Sequence, residues 1–183
     1  GWAVRVAIVS RNVAQLVDRP RVERKEITPL TPDEAMTFLE GVRGHRLEAL
    51  FSVALALGLR QGEALGLRWE DIDFAQGTLR VRNQVQRIEG KLTLVPPKTA
   101  KSRRRLFMPP LIVEALREQQ KRQVAEKIWA GSKWTETDLV FANRTGGPTQ
   151  ARDVIEQFHK ALETAGMRRI RFHDLRHSCA TLL

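Results

Sequence analysis

Leu50, Phe51, Val53, Ala54, Leu55, Ala56 and Leu57 form a run too apolar to leave any face of a helix in water, and Gly58-Leu59-Arg60-Gln61-Gly62-Glu63 follows it at once. A helix of this kind, expected from about His45 to Leu57, has to lie at the centre of a helical body with other elements packed around it. Gly58 suits its end, because glycine adopts left-handed backbone angles without a Cβ penalty. Arg60 then emerges at the edge of the core, where its guanidinium is expected in fixed geometry. Glu63 lies three residues further on and reaches back to that guanidinium if Gln61–Leu67 is helical.

A second charged motif, Phe172-His173-Asp174-Leu175-Arg176-His177, stands near the far end of the chain. On a helix, His173 and Arg176 project from neighbouring positions of one face. Leu175, Cys179 and Leu182 fall on the inner face, which makes Cys179 a core residue, while Asp174 and Ser178 are expected elsewhere on the surface. Arg60 and Arg176 together offer two planar, permanently charged donors, each able to clamp phosphate oxygens bidentately. Between the motifs runs a basic loop, Pro96-Pro97-Lys98-Thr99-Ala100-Lys101-Ser102-Arg103, followed by Arg104 and Arg105. Lys98 is placed to reach a phosphate and protonate a departing oxygen. Lys101, Arg103, Arg104 and Arg105 are expected to touch nucleic-acid backbone phosphates without reading sequence. Plain phosphate contact is the alternative for Lys98 as well.

Taken in order, residues 1–27 read as a helical tail and a charged linker. Trp2, Val6, Val9, Val13 and Leu16 are spaced as the last helix of a preceding helical domain or as a helix packed on the main body. Both readings stay open. Thr31-Pro32-Asp33-Glu34 has the spacing of a capping box with proline in the first turn, and Ala35, Leu39 and Val42 share a face. Strands are expected at Thr78–Ile88, Lys91–Val95 and Arg104–Met108. After Pro109-Pro110 a helix buries Ile112, Ala115 and Leu116 and carries Arg117, Lys121, Arg122 and Lys127 outward. Leu139-Val140-Phe141 is a short buried run, and Trp129 and Trp134 read as packing residues. An amphipathic helix with Val154, Ile155, Phe158, Ala161, Leu162 and Ala165 aligned ends at Gly166. His45 and His159 read as surface residues. Helices, a small three-stranded antiparallel sheet and more helices, without βαβ alternation, make the fold α+β and mainly α-helical.

Composition narrows the partner. The 183 residues carry 31 Lys and Arg against 21 Asp and Glu, a net charge of +10, which favours a polyanion such as nucleic acid. No apolar run reaches the roughly 18 residues of a membrane span. One cysteine excludes an internal disulfide and fits a reducing cytoplasm. With it, four scattered histidines make a metal site improbable.

Together the two motifs, their order and the intervening β segment with Lys98 resemble the tyrosine recombinase, or phage integrase, family over residues 28–183. The resemblance implies the catalytic-domain fold of that family, preceded over residues 1–27 by the end of a core-binding helical domain and its linker. It implies catalytic roles for Arg60, Lys98, His173 and Arg176 and a supporting role for Glu63. His177 matches a residue frequent in the motif, with a role in local packing or a backbone hydrogen bond. The activity implied is site-specific recombination of duplex DNA. A tyrosine attacks the phosphate to form a 3′-phosphotyrosyl link, which conserves the phosphodiester energy so that neither ATP nor a metal cofactor is needed. A phage- or mobile-element-encoded protein acting on DNA in the bacterial cytoplasm, assembled as a tetramer on its substrate, completes what the resemblance implies.

The sequence contains no tyrosine. The family pattern continues with a second histidine or tryptophan and then the tyrosine on a further helix, and neither position lies within these residues. The expectation is a catalytic domain incomplete at its C-terminal side, which grips DNA without cutting it. A non-catalytic DNA-binding remnant or regulator derived from an integrase is the alternative. A type IB topoisomerase and an RNA-binding protein fit the motifs less closely.

Overall fold

Thr31 opens the main body as its residues dictate: its side chain accepts from the Glu34 amide, the Glu34 carboxylate accepts from the Thr31 amide, and Pro32 occupies the first turn. In the computed structural model, which describes residues 2–13, 17–18, 28–97 and 102–182, this cap starts α2 (Pro32–Gly41). It follows α1 (Trp2–Arg5) and precedes α3 (Glu48–Leu57) and α4 (Gln61–Leu65). Five short strands come next: β1 (Ile72–Asp73), β2 (Thr78–Val81), β3 (Gln84–Ile88), β4 (Lys91–Val95) and β5 (Arg104–Phe107). The chain ends in α5 (Pro110–Ala130), α6 (Ala151–Thr164) and α7 (Asp174–Leu182). This is the α+β, mainly helical fold expected. No helix among the described residues is long and apolar enough to cross a membrane.

The central helix is α3, buried from Ala49 to Leu55 as its composition requires. Around it Phe38 of α2, Phe51 of α3, Phe158 of α6 and Phe172 form one aromatic cluster with centroid separations of 5.4–6.4 Å. Fully burying each ring is worth about 1.5–3 kcal/mol in transfer free energy. The cluster matters for position, because Phe172 is anchored in it and His173 is the next residue.

The strand expected at Thr78–Ile88 is two strands. β2 pairs with β1 and β5 in a three-stranded antiparallel sheet, and β3 pairs with β4 in a separate hairpin. The chain turns at Arg82, whose guanidinium binds the buried carboxylate of Asp71 and lies 3.1 Å from Glu70. The hairpin rests closely on α4: a Cβ on Gly66 would stand 2.6 Å from Gln84 Cα, so only glycine admits this approach.

Several expectations about single residues change. Trp134 packs over Gly146 as expected, but Trp129 is 81% exposed with Ile128 beside it. Both lie in the last turns of α5, roughly 31 Å long against about 15 Å for α3. The buried residues of α5 are Ile112, Leu116 and Gln119, all in its first half. Arg122 does not point outward: it donates to the carbonyls of His45 and Arg46. His45 is half-buried and stacks on Phe51 at 5.7 Å, and Ile155 stays 37% exposed. In the tail, α-helix among the described residues covers Trp2–Arg5, and Trp2, Val6, Val9 and Val13 are exposed. Leu16 and residues 19–27 lie outside the described residues.

Candidate functional site

Gly58 ends α3 in the left-handed conformation at φ 58° and ψ 34°. Two residues later Arg60, extended at φ −66° and ψ 149°, precedes the first turn of α4. Its amide donates to Glu63 Oε2 at 3.0 Å and its Nη1 to Glu63 Oε1 at 2.9 Å. The expected orientation of Arg60 by Glu63 is present. The guanidinium stands half in solvent, however, with 52% of the side chain exposed against 2% for Glu63.

A second arginine completes this arrangement. Arg104 reaches from β5 and donates from Nη2 to Glu63 Oε2 at 2.9 Å and from Nη1 to Oε1 at 3.3 Å. Burial pushes the Glu63 carboxyl up, but the hydrogen bonds from Arg104 and from the Arg60 backbone and side chain outweigh it. The group is held below its ordinary value. Arg104 is expected from the sequence among the backbone-contacting cations; in the structure its guanidinium is paired with the Glu63 carboxylate. The signal available was strand parity, since Arg104 and Leu106 alternate inward while Arg105 and Phe107 alternate outward. Arg105 is exposed and donates to Thr78 Oγ1 at 3.1 Å, and Arg103 is exposed. Lys98 and Lys101 lie outside the described residues.

The second motif meets the first at the end of α3. Arg176 Nη1 donates to the Gly58 carbonyl, and Cys179 Sγ donates to the Ala56 carbonyl at 3.4 Å. Carbonyls that α3 leaves unpaired at its C-terminus thus receive donors from α7, and a cation there also complements the helix dipole. A Cβ on Gly58 would lie 3.2 Å from Cys179 Sγ and 3.7 Å from Arg176 Cγ. The glycine therefore serves both the chain reversal and the closeness of the two motifs.

His173 lies just ahead of α7 in a turn closed by Arg176 N bonding to its carbonyl at 3.1 Å. Its ring is exposed and meets His177 edge-on at 5.1 Å. Partial desolvation, with the neighbouring His177 and the Arg176 guanidinium adding to it, holds the His173 imidazole below its ordinary value. It is therefore neutral near pH 7 and able to accept a proton.

Asp174 and Ser178 are buried, contrary to their expected surface position. Asp174 accepts from the Arg171 amide at 2.8 Å and from its guanidinium, which fixes the start of α7. Ser178 donates to the Asp174 carbonyl at 2.9 Å and accepts from the Leu30 amide at 2.8 Å. These are polar residues with local and long-range partners, which a hydrophobic pattern does not register. Cys179 is 7% exposed, a core residue as expected, and burial pushes its thiol up. The Leu182 side chain lies outside the described residues. Among the described residues, no group of three or more His, Cys, Asp or Glu gathers as a metal site would need.

The arrangement holds one guanidinium, that of Arg60 just past Gly58, on the Glu63 carboxylate and another, that of Arg176, on the Gly58 carbonyl, with the His173 ring on the turn before α7. It offers cationic donors to an anion with oxygen atoms on more than one side.

Comparison with known proteins agrees. The phage integrase family pattern matches residues 28–183. A tyrosine recombinase XerC-like protein of Caldanaerobacter subterraneus subsp. tengcongensis is 36% identical over 170 residues, 86% of this chain and 44% of the relative. An integrase of Streptomyces ambofaciens is 34% identical over 96% of this chain and 47% of its own length. The chain thus spans less than half of each of these two relatives. Among solved structures, the Tn1549 transposon integrase in complex with a circular intermediate DNA superposes with a TM-score of 0.76. That match has 20% identity and covers 100% of this chain and 62% of the other, so it speaks to the fold. With the Arg60 and His173–Arg176 motifs meeting at one helix end inside that fold, the chain belongs to the phage integrase family of tyrosine recombinases.

Proposed function

We propose that these residues form the phosphate-gripping part of a site-specific DNA recombinase. The convergence of Arg60 and Arg176 on the end of α3 is the observation that carries this reading. Attack on a DNA phosphate passes through a five-coordinate arrangement with added negative charge on the non-bridging oxygens. Guanidinium groups already fixed in place stabilise that charge without the reorganisation water would need. His173, kept neutral, accepts a proton from the attacking hydroxyl or bonds a phosphate oxygen. Lys98 gives a proton to the departing 5′-oxygen.

The sequence has no tyrosine. In this proposal the attacking tyrosine belongs to a part of the protein outside these 183 residues, and the complete reaction proceeds through a 3′-phosphotyrosyl link within an assembly of several copies on duplex DNA. The net charge of +10 supports a DNA partner, as does the relative solved in complex with a circular intermediate DNA.

The test uses the 183-residue chain and a nicked suicide duplex on paired native and denaturing gels. The expected result is a salt-sensitive native shift with no covalent band. A covalent band would show that one of these residues attacks, overturning the assignment of the nucleophile. Absence of any shift would overturn the gripping role.

A further inference from the structure

We infer that Arg104 is a positioning residue for Arg60, acting through the Glu63 carboxylate that the two arginines share, and is not itself a contact to the DNA backbone. The inference rests on the reading of Arg60 as a phosphate ligand.

The geometry separates the two arginines into an anchor and a reach. Glu63 is almost fully buried, and its two oxygens take four donors: Arg60 N and Nη1, and Arg104 Nη1 and Nη2. A carboxylate has about four lone-pair sites, so this one is saturated. Arg104 engages both oxygens with its two terminal nitrogens, the planar fork-to-fork arrangement that fixes a carboxylate in rotation as well as in place. Its Nη1 also lies 3.2 Å from the Ser102 carbonyl, and the Arg104 backbone is registered opposite Val81 in the sheet. Three constraints therefore hold Arg104, and only 25% of its side chain is exposed.

Arg60 spends one nitrogen, Nη1, on the carboxylate and is twice as exposed, at 52%. Its Nε and Nη2 take no partner among the described residues. If Arg104 were absent, Glu63 could rotate about its terminal bond and carry the Arg60 guanidinium with it. One carboxylate against one arginine would also be electrically neutral, and such a pair draws a phosphate weakly. Two arginines on one carboxylate leave a net charge of +1 at the point where the anion is to sit. The same side chain thus supplies direction and restores charge.

The experiment is a mutant cycle read by duplex-DNA binding in fluorescence anisotropy over a range of salt, using the 183-residue chain. R104M is expected to weaken binding about tenfold, which corresponds to about 1.4 kcal/mol. In an R60M background it should add clearly less than that tenfold, because the direction it gives Arg60 is already lost and only its charge remains to be removed. R104K, which keeps the charge but cannot span both oxygens, should lose an intermediate amount, absorbed by R60M. Losses that multiply in the R60M/R104M double variant would place Arg104 directly on DNA and overturn the inference.

A second readout needs no DNA. In the free protein, the Arg60 Nε–H resonance should be sharp in the wild type and averaged in R104M, and the Glu63 carboxyl should titrate higher in R104M. Unchanged Arg60 and Glu63 signals would overturn the inference on their own. Wild-type protein that fails to bind DNA while these signals shift would instead count against the phosphate-gripping reading alone. Should R104M fail to fold, R104K carries both measurements.

Discussion

Arg60 leans on a buried carboxylate that it shares with Arg104, whereas Arg176 leans on the main-chain carbonyl of Gly58. The first hold is charged and strong, and it would cancel the arginine's own charge were a second arginine not present. The second hold is neutral. It leaves the Arg176 charge intact but depends on a backbone conformation, since the carbonyl is aimed by a residue at φ 58°. The two guanidinium groups are therefore open to different injuries: the first to loss of a charge, the second to a change of chain geometry.

The largest break is expected on the charged side. Glu63→Ala leaves two arginines facing each other without their common partner and should lower unfolding free energy by about 2–3 kcal/mol, read from urea denaturation. A loss well under 1 kcal/mol would show that the carboxylate does not hold this corner together. Gly58→Ala strikes the other side. A left-handed alanine costs roughly 1–2 kcal/mol, and its Cβ would press on Cys179 Sγ. The expected signature is a weakened hold on α7, seen as faster amide exchange there, while the Arg60 Nε–H signal stays where it was. Movement of both would mean that the two holds are one unit.

Arg176→Gln is a smaller perturbation of stability, about 1 kcal/mol, because a polar side chain that can still donate remains near the Gly58 carbonyl. It should nonetheless reduce the slope of log affinity for duplex DNA against log salt by about one, the mark of a lost phosphate contact. An unchanged slope would remove Arg176 from the phosphate.

The finest distinction is in pH. Glu63 lies below its ordinary value of 4.5 in the folded chain, so its contribution is complete above that value and is lost as pH falls through the window beneath it. His173 lies below its ordinary value of 6.5, so the unfolded chain takes up a proton first and stability starts to decline as pH falls below 6.5. NMR titration should accordingly disturb the turn before α7 at milder acidity than the Glu63 corner. A simultaneous change at both would contradict their independence.

Much of this was legible in residue order. The capping box at Thr31, the burial of α3, its glycine stop and the pairing of Glu63 with Arg60 are local, and each is written in residues at most a few positions apart. What escaped the sequence depends on partners brought from elsewhere. Leu79, Val81 and Val85 keep one parity, so alternation runs through the break at Arg82; only Asp71 across the fold explains why the strand turns there. Arg104 sits in a run of three arginines that composition cannot tell apart until the register with β2 sends one inward. Ser178 looks like a surface residue on a helical wheel, yet it accepts from the Leu30 amide, 148 positions away. Trp129 escaped for a different reason. Burial of an aromatic requires something opposite it, and α5 extends past the helix it packs on.

The Leu30 bond has a mechanical consequence. Arg168 grips the carbonyls of Thr28 and Pro29 along with the Glu34 carboxylate, and Ser178 holds the Leu30 amide from within α7. Tension on the chain ahead of residue 28 would meet the Arg168 contacts first and the Leu30 bond next, before it reached α2. It would arrive through Ser178 at the helix that carries Arg176, two residues along from that arginine. The segment leading into α2 is thus tied, through one hydrogen bond, to the helix that carries Arg176.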